Sequence, residues 1–245
     1  MKRTHPSYDL IRTAYDDLHA RRFEERLQRA DRDEQAVFAD KLTTAWHTLA
    51  KGFIAQVGCL RGSKMLEVGC GYGSLSVFVA QQKAVVSGVD ISATAVRLSR
   101  RNAELAGVDA TFTQANAVAL PFQDGAFDLV VCCDTLEHVP EYRVAVNELA
   151  RVTRVGGHLI VTTPNVINPR GIYLLATSGQ PVENPFLYWT MTRLLVRRGL
   201  AIVSTRVRDF LGAQNRVARA VERMVSMTPL KVLGLRVGVL AKKIL

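Results

Sequence analysis

No apolar run in this chain of 245 residues approaches the roughly 18 residues that a transmembrane helix needs. The opening MKRTHPSYDL is charged and has no apolar stretch of the signal-peptide kind, so a cytoplasmic location is expected. Cysteine is scarce and scattered. Cys59, Cys70, Cys132 and Cys133 form no C-x-x-C pair, which leaves a cysteine zinc site without support and fits free thiols. Internal repeats and low-complexity tracts are missing. With 48% hydrophobic and 22% charged residues the composition excludes a disordered chain. The length suffices for one domain with an elaboration.

Acidic residues run short in one region. Residues 201–245 carry 9 basic and 2 acidic side chains, whereas residues 1–60 carry 10 and 9 and residues 61–200 carry 13 and 11. Within this basic region, AQNRVARAVERMVSM has Val217, Val221, Met224 and Val225 on one helical face and Arg216, Arg219 and Arg223 elsewhere. It reads first as a helix packed on a sheet. Peripheral contact with an anionic membrane surface stays open. Nucleic acid is not expected as a partner, because no aromatics are interleaved with those arginines.

Periodicity divides what is there. Residues 1–58 read as an N-terminal helical cap, in which Phe38, Leu42, Trp46, Leu49 and Phe53 recur with a helical rhythm. From residue 59 to 245 strands alternate with helices. KMLEVG, AVVSGVD, ATFTQAN, FDLVVCCD, HLIVTTP, LAIVSTRVRDF and LRVGVLAKKIL read as strands. FDLVVCCD is continuously apolar, as buried parallel strands are. Cys132 and Cys133, being adjacent, should face opposite ways as small buried hydrophobes. Ser92 is placed to cap the helix that follows, Pro140 to open another, and RVGG to turn the chain into HLIVTTP. The expected fold is α/β, a Rossmann-like, mostly parallel, seven-stranded sheet with helices on both faces. Residues 164–190 break the alternation with mixed prolines, glycines and aromatics and read as an inserted substrate lid, with Tyr173, Phe186, Tyr188 and Trp189 as a pocket wall.

The segment MLEVGCGYGSLS packs Gly69, Gly71 and Gly73 into five positions behind Glu67. It joins the first strand to a helix, where open α/β sheets bind nucleotides. Asp90 ends the next strand, 21 residues after Gly69, the spacing of a carboxylate that accepts from ribose hydroxyls. A dinucleotide loop would place its third glycine at 74, which is Ser, and a Walker loop would add Gly-Lys-Ser/Thr, which is absent. A carboxylate at 67 should repel a pyrophosphate and favour a ligand carrying an ammonium and a sulfonium.

E-x-G-x-G-x-G, the strand-ending Asp90, LPFQDGAFDLVVCCDTLEHV and GGHLIVTTPN together resemble the class I S-adenosylmethionine-dependent methyltransferases. The likeness extends over residues 60–210 and is nearest the small-molecule branch that includes the ubiquinone-biosynthesis O-methyltransferases. It implies the fold with an antiparallel last strand, S-adenosyl-L-methionine as cofactor, and methyl transfer. It implies that Glu67, Gly69, Gly71 and Gly73 cradle the methionine end, that Asp90 binds the ribose with Ile91 beside the adenine, and that Asn116 and Ala117 flank the base. The family usually has Asp at position 116. Asn offers a carbonyl without the charge.

Methyl transfer from a sulfonium asks the protein for orientation and exclusion of water, and for a base where the nucleophile must lose a proton. DTLEH follows the fourth strand, where an acceptor would approach. His138 is the candidate base, with Glu137 as the residue that orients its loop. Asp134, Glu137 and His138, spaced i, i+3, i+4, would share one face of a helical turn and could instead hold a divalent cation. No metal is assigned on this reading. The function expected is methylation of a small apolar or aromatic acceptor, O-transfer ahead of C- or N-transfer. The alternative is a non-catalytic cofactor-binding partner subunit.

Overall fold

A computed structural model describes residues 6–30, 32–41, 45–165, 184, 186–208 and 236–245. Seven strands form one sheet: β1 Lys64–Val68, β2 Val85–Asp90, β3 Ala110–Gln114, β4 Phe127–Cys133, β5 Thr153–Pro164, β6 Leu200–Arg208 and β7 Arg236–Lys243. Their order is β3-β2-β1-β4-β5-β7-β6. The first five pair in parallel, and β7 runs antiparallel to both β5 and β6. The last strand in sequence is therefore antiparallel as expected. It is inserted between β5 and β6 rather than added at the edge.

The helices are α1 Tyr8–Arg29, α2 Glu34–Lys41, α3 Ala45–Val57, α4 Ser74–Ala80, α5 Ala93–Ala106, α6 Tyr142–Val152 and α7 Tyr188–Val196. Alternation along β4 decides which of them covers which face. Leu129, Val131 and Cys133 pack with Phe53 of α3 and Leu75 of α4. Val130 and Cys132 pack with Leu149 of α6 and Leu195 of α7. The two cysteines do face opposite ways, both buried, and burial raises both thiol pKa values. A one-residue slip would exchange the two cores, so the register is strongly specified. A boundary at residue 58 cuts off α3, which packs directly on the sheet through Ala50, Phe53 and Ile54.

Caps follow the sequence at α5. Ser92 accepts from Ala95 N at 3.0 Å, and Gly107 ends the helix in the left-handed region at φ +62°. Two boundaries differ from expectation. RVGG does not turn the chain; it lies inside β5 as an irregularity, Phe127 pairing with Thr153 while Leu129 pairs with His158. Parallel pairing to β4 absorbs the extra residues as a bulge. Helix α6 starts at Tyr142 rather than at Pro140, because a 3-10 turn at Leu136–His138 must first redirect the chain.

Most of 164–190, Tyr173 included, and the helix expected at 213–227 lie outside the described residues. Two aromatics of that first stretch do not line the cavity described below. Phe186 is fully buried, edge-on to Tyr142 at 4.8 Å, and Trp189 is 44% exposed on α7. An aromatic ring flanked by α6 and the sheet gains more from burial in the core than from facing a cleft.

Asp128 on β4 is structural. It accepts from Lys64 N of β1 at 2.7 Å and pairs with Arg154 of β5, so it ties three strands at one end of the sheet. The Lys64 bond, with help from Arg154, holds its pKa below the usual carboxylate range. A charged hydrogen bond contributes roughly 1.5–3 kcal/mol, and Asp128 is about one-third exposed, so Asp128→Asn is expected to cost about 1 kcal/mol. The folded pKa is depressed, so this stabilisation is present above the unfolded value of about 3.9 and is lost as pH falls through the folded value. Thermal midpoints of wild type and variant should differ at pH 7 and converge below about pH 4.

Candidate active site

The strand order reverses between β1 and β4, and the crevice outside their carboxyl ends is where such sheets take ligands. A cavity of about 270 Å³ opens there. Its floor is the loop after β1, with the ends of β2 and β4 beside it. Helix α1 forms the facing wall through Tyr8, Ile11, Tyr15, Leu18, His19 and Arg22.

The three glycines all have positive φ and do different things. A Cβ on Gly69 would lie 2.1 Å from Thr135 Oγ1, and one on Gly73 would lie 2.9 Å from Ser99 Cβ. These two let the loop pack against its neighbours. A Cβ on Gly71 would meet nothing closer than His19 Cε1 at 3.9 Å. Its missing side chain is therefore space in the cleft itself.

Asp90 closes the loop from behind. One carboxylate oxygen accepts from Gly71 N at 2.9 Å and the other from Ser92 N at 3.0 Å. The side chain still lines the cavity, and each oxygen keeps a lone pair for a ligand hydroxyl. Ile91, Asn116 and Ala117 continue the same wall. Asn116 accepts from Val118 N at 3.2 Å, an Asx turn that positions its amide, and lies within hydrogen-bond reach of the Tyr8 hydroxyl.

Glu67 differs from expectation. It is 1% exposed and does not line the cavity. Its Oε2 accepts from Ser76 N at 3.0 Å and from Ser76 Oγ at 2.5 Å, while Oε1 is buried without a partner. The pleat puts Glu67 on the same side as Met65, under α4, where a carboxyl meets an N–H of the first helical turn. Burial raises its pKa to about 8. It presents no charge to the cleft near neutral pH. Gly73 and Glu137 likewise stand behind the wall.

After β4, Asp134 adopts φ +46°. Its carboxylate accepts from Thr162 Oγ1 at 2.9 Å and pairs with Arg236 of β7. The turn that follows covers only Leu136–His138. Asp134, Glu137 and His138 therefore do not share one face as cation ligands. Among the described residues no three His, Cys, Asp or Glu side chains cluster to hold a metal. His138 lines the cavity, its ring 5.9 Å from that of Tyr15, and Glu137 Oε1 approaches its Nε2 to 4.0 Å. The 3-10 turn brings these neighbours nearer than an extended chain would. Asn184 pins that turn, donating from N to Glu137 O at 2.6 Å and from Nδ2 to Val139 O at 2.7 Å.

Residues 66–161 match the family described as a methyltransferase domain. The segment is similar to class I S-adenosylmethionine-dependent methyltransferase domains, over less than half of the chain. Over 119 residues it is 39% identical to the ubiquinone biosynthesis O-methyltransferase of Cronobacter sakazakii, covering 48% of this chain and 49% of that one. Over 129 residues it is 39% identical to the enzyme of the same name from Alkalilimnicola ehrlichii, covering 52% and 51%. The chain thus spans about half the length of the curated relatives it matches. Magnesium protoporphyrin IX methyltransferase from Synechocystis, solved with bound S-adenosylhomocysteine, superposes with a TM-score of 0.65 at 19% identity, over 97% of this chain and 100% of that one. At that identity the likeness speaks for the fold.

The cleft fits S-adenosylmethionine on two observations, the room left at Gly71 and the cavity-lining carboxylate of Asp90. Sequence reasoning missed the α1 wall and His47 of α3, which is buried at the cavity. The signal was present in the spacing of Tyr8, Ile11, Tyr15 and Leu18, which is that of one helical face.

Glu67 gives a signed expectation. Its folded pKa of about 8 lies above the unfolded value of about 4.3. Its contribution to stability is full below the unfolded value and is lost as pH rises towards the folded one. Glu67→Gln, which keeps an acceptor for Ser76, should gain thermal midpoint relative to wild type between pH 5 and 8. A constant difference across that range would mean that Glu67 is ionised throughout.

Proposed function

We propose that the protein transfers a methyl group from S-adenosylmethionine to a small apolar or aromatic acceptor, with a hydroxyl oxygen as the favoured nucleophile. The observation that carries the reading is the shared cleft: Asp90 and the opening at Gly71 on one side, His138 and Tyr15 on the other. When bound, the cofactor supplies an electrophilic methyl group on a positively charged sulfur. Asp90 holds the ribose and Asn116 and Ala117 hold the base, while Ile11, Leu18 and Val139 give the cleft its apolar surface. The wall formed by α1 excludes water, and fixed orientation lowers the barrier. The imidazole of His138 takes the hydroxyl proton as the new bond forms. The buried Glu137 carboxyl, 4.0 Å from Nε2, favours the imidazolium that results. The arrangement of O-methyltransferase relatives in sequence supports oxygen as acceptor atom.

Titration calorimetry is expected to show binding of S-adenosylmethionine and S-adenosylhomocysteine but not NAD. Tight NAD binding would overturn the reading. Asp90→Ala should weaken binding far more than Asn116→Ala, because it removes charge-assisted bonds of roughly 1.5–3 kcal/mol each rather than a neutral bond of about 1 kcal/mol.

Release of S-adenosylhomocysteine, screened over phenols and quinol precursors, identifies the acceptor. On that acceptor His138→Ala should cut turnover by about a hundredfold or more with unchanged cofactor affinity. Full turnover in the variant would leave catalysis to proximity and desolvation alone.

A further inference from the structure

Apolar packing holds helix α1 mainly near its C-terminal end, where Phe23 and Leu27 meet Val37, Phe38 and Tyr72. Ile11 is its one fully buried residue among those described, and most of its outer surface is charged. It nevertheless presents Tyr8, Ile11, Tyr15, Leu18 and Arg22 to the cleft, with steps of three and four residues. Along its middle, polar contacts add to that packing in setting its position along the groove.

Asp16 does so by a specific geometry. Its Oδ1 accepts from Ser92 Oγ at 2.7 Å and from Thr94 N at 2.9 Å. The Thr94 N–H belongs to the first turn of α5, where unpaired donors and the helix dipole favour a carboxylate. Burial works against the ionised form, but the bonds from Thr94 and Ser92 outweigh it and keep the pKa below its usual value. Ser92 in turn donates its N–H to Asp90, and Asp90 accepts from Gly71 N. One chain of hydrogen bonds thus runs from α1 to the glycine loop.

The contact resists a slip of one turn. A slip of one turn, about 5.4 Å, would bring Arg12 or Ala20 to the place of Asp16, and neither side chain can accept the two bonds. The same slip would exchange His19 and Tyr15 at the cleft. We propose that Asp16 is a positioning residue that locks the register of α1 over the cleft and, through Ser92, holds the Asp90 carboxylate in its ligand-facing orientation. This rests on the methyltransferase reading of the cleft.

S-adenosylhomocysteine binding, measured by calorimetry on the full chain, tests it. Asp16→Ala should weaken binding about tenfold or more, and Asp16→Asn, which keeps a carbonyl acceptor, should stay within about threefold of wild type. Glu34→Gln serves as control. It weakens another tie of the N-terminal helices to α5, the exposed Glu34–Arg101 pair, neither member of which lines the cleft, and should change affinity by less than about twofold. Ser92→Ala should also weaken binding, and the double variant should lose less than the sum of the two single losses, since the two share the Ser92 Oγ–Asp16 bond. Trypsin cleavage at Arg21 and Arg22 should be slowed by S-adenosylhomocysteine in wild type and not in Asp16→Ala. Unchanged affinity with full protection in Asp16→Ala overturns the proposal, and so do additive losses in the double variant or an equal loss in Glu34→Gln. If wild type itself binds no S-adenosylhomocysteine, the functional reading fails instead. Faster cleavage of α1 in Asp16→Ala than in wild type then still supports the lock, and equal cleavage overturns it.

Discussion

The Asp90 carboxylate is the point on which the site depends. It ends β2, and its two oxygens are shared between Gly71 N and Ser92 N. The first bond shapes the glycine loop, and the second orders the start of α5. Because Ser92 also bonds Asp16, the position of α1 is referred to the same carboxylate. A single anion at the end of a strand therefore coordinates a loop, a helix terminus and a covering helix. Its burial, at 8% exposure, is tolerable because both oxygens are bonded.

Two carboxyl groups on neighbouring strands take opposite roles for reasons of pleat. Asp90 stands at a strand end and faces outward from the sheet's edge into the cleft. Glu67 lies inside β1, where alternation turns it beneath α4, and it serves the first turn of that helix rather than a ligand. Desolvation then keeps it neutral near pH 7. The glycines divide in the same manner, with Gly69 and Gly73 admitting close neighbours and Gly71 leaving room in the cleft.

At the end of β4 the charges are settled between strands. Asp134 is paired with Arg236, brought alongside by the insertion of β7 between β5 and β6, and held again by Thr162. That pairing neutralises a carboxylate that lines the cavity. His138, four residues further on, keeps its place in the cavity because Asn184 fixes the 3-10 turn from outside.

Much of the fold was legible in the residues themselves. The alternation of apolar strands with amphipathic helices, the Ser92 cap and the continuous apolar β4 each follow from local chemistry, and local chemistry is what a sequence records. So were the residues that face the cleft from strand ends, Asp90, Asn116 and His138, because a strand end is a position in sequence as well as in space. What only tertiary structure decided are relations between distant segments. Nothing near Glu67 announces Ser76 as its partner, and nothing near Asp134 announces Arg236. RVGG carries the residues of a turn, yet pairing with β4 held it in the strand as a bulge. The cleft face of α1 needed a second surface before its spacing had a meaning. A helix of charged residues has no site of its own until Asp16 meets the open end of α5, and that meeting is made by the packed sheet and its helices together.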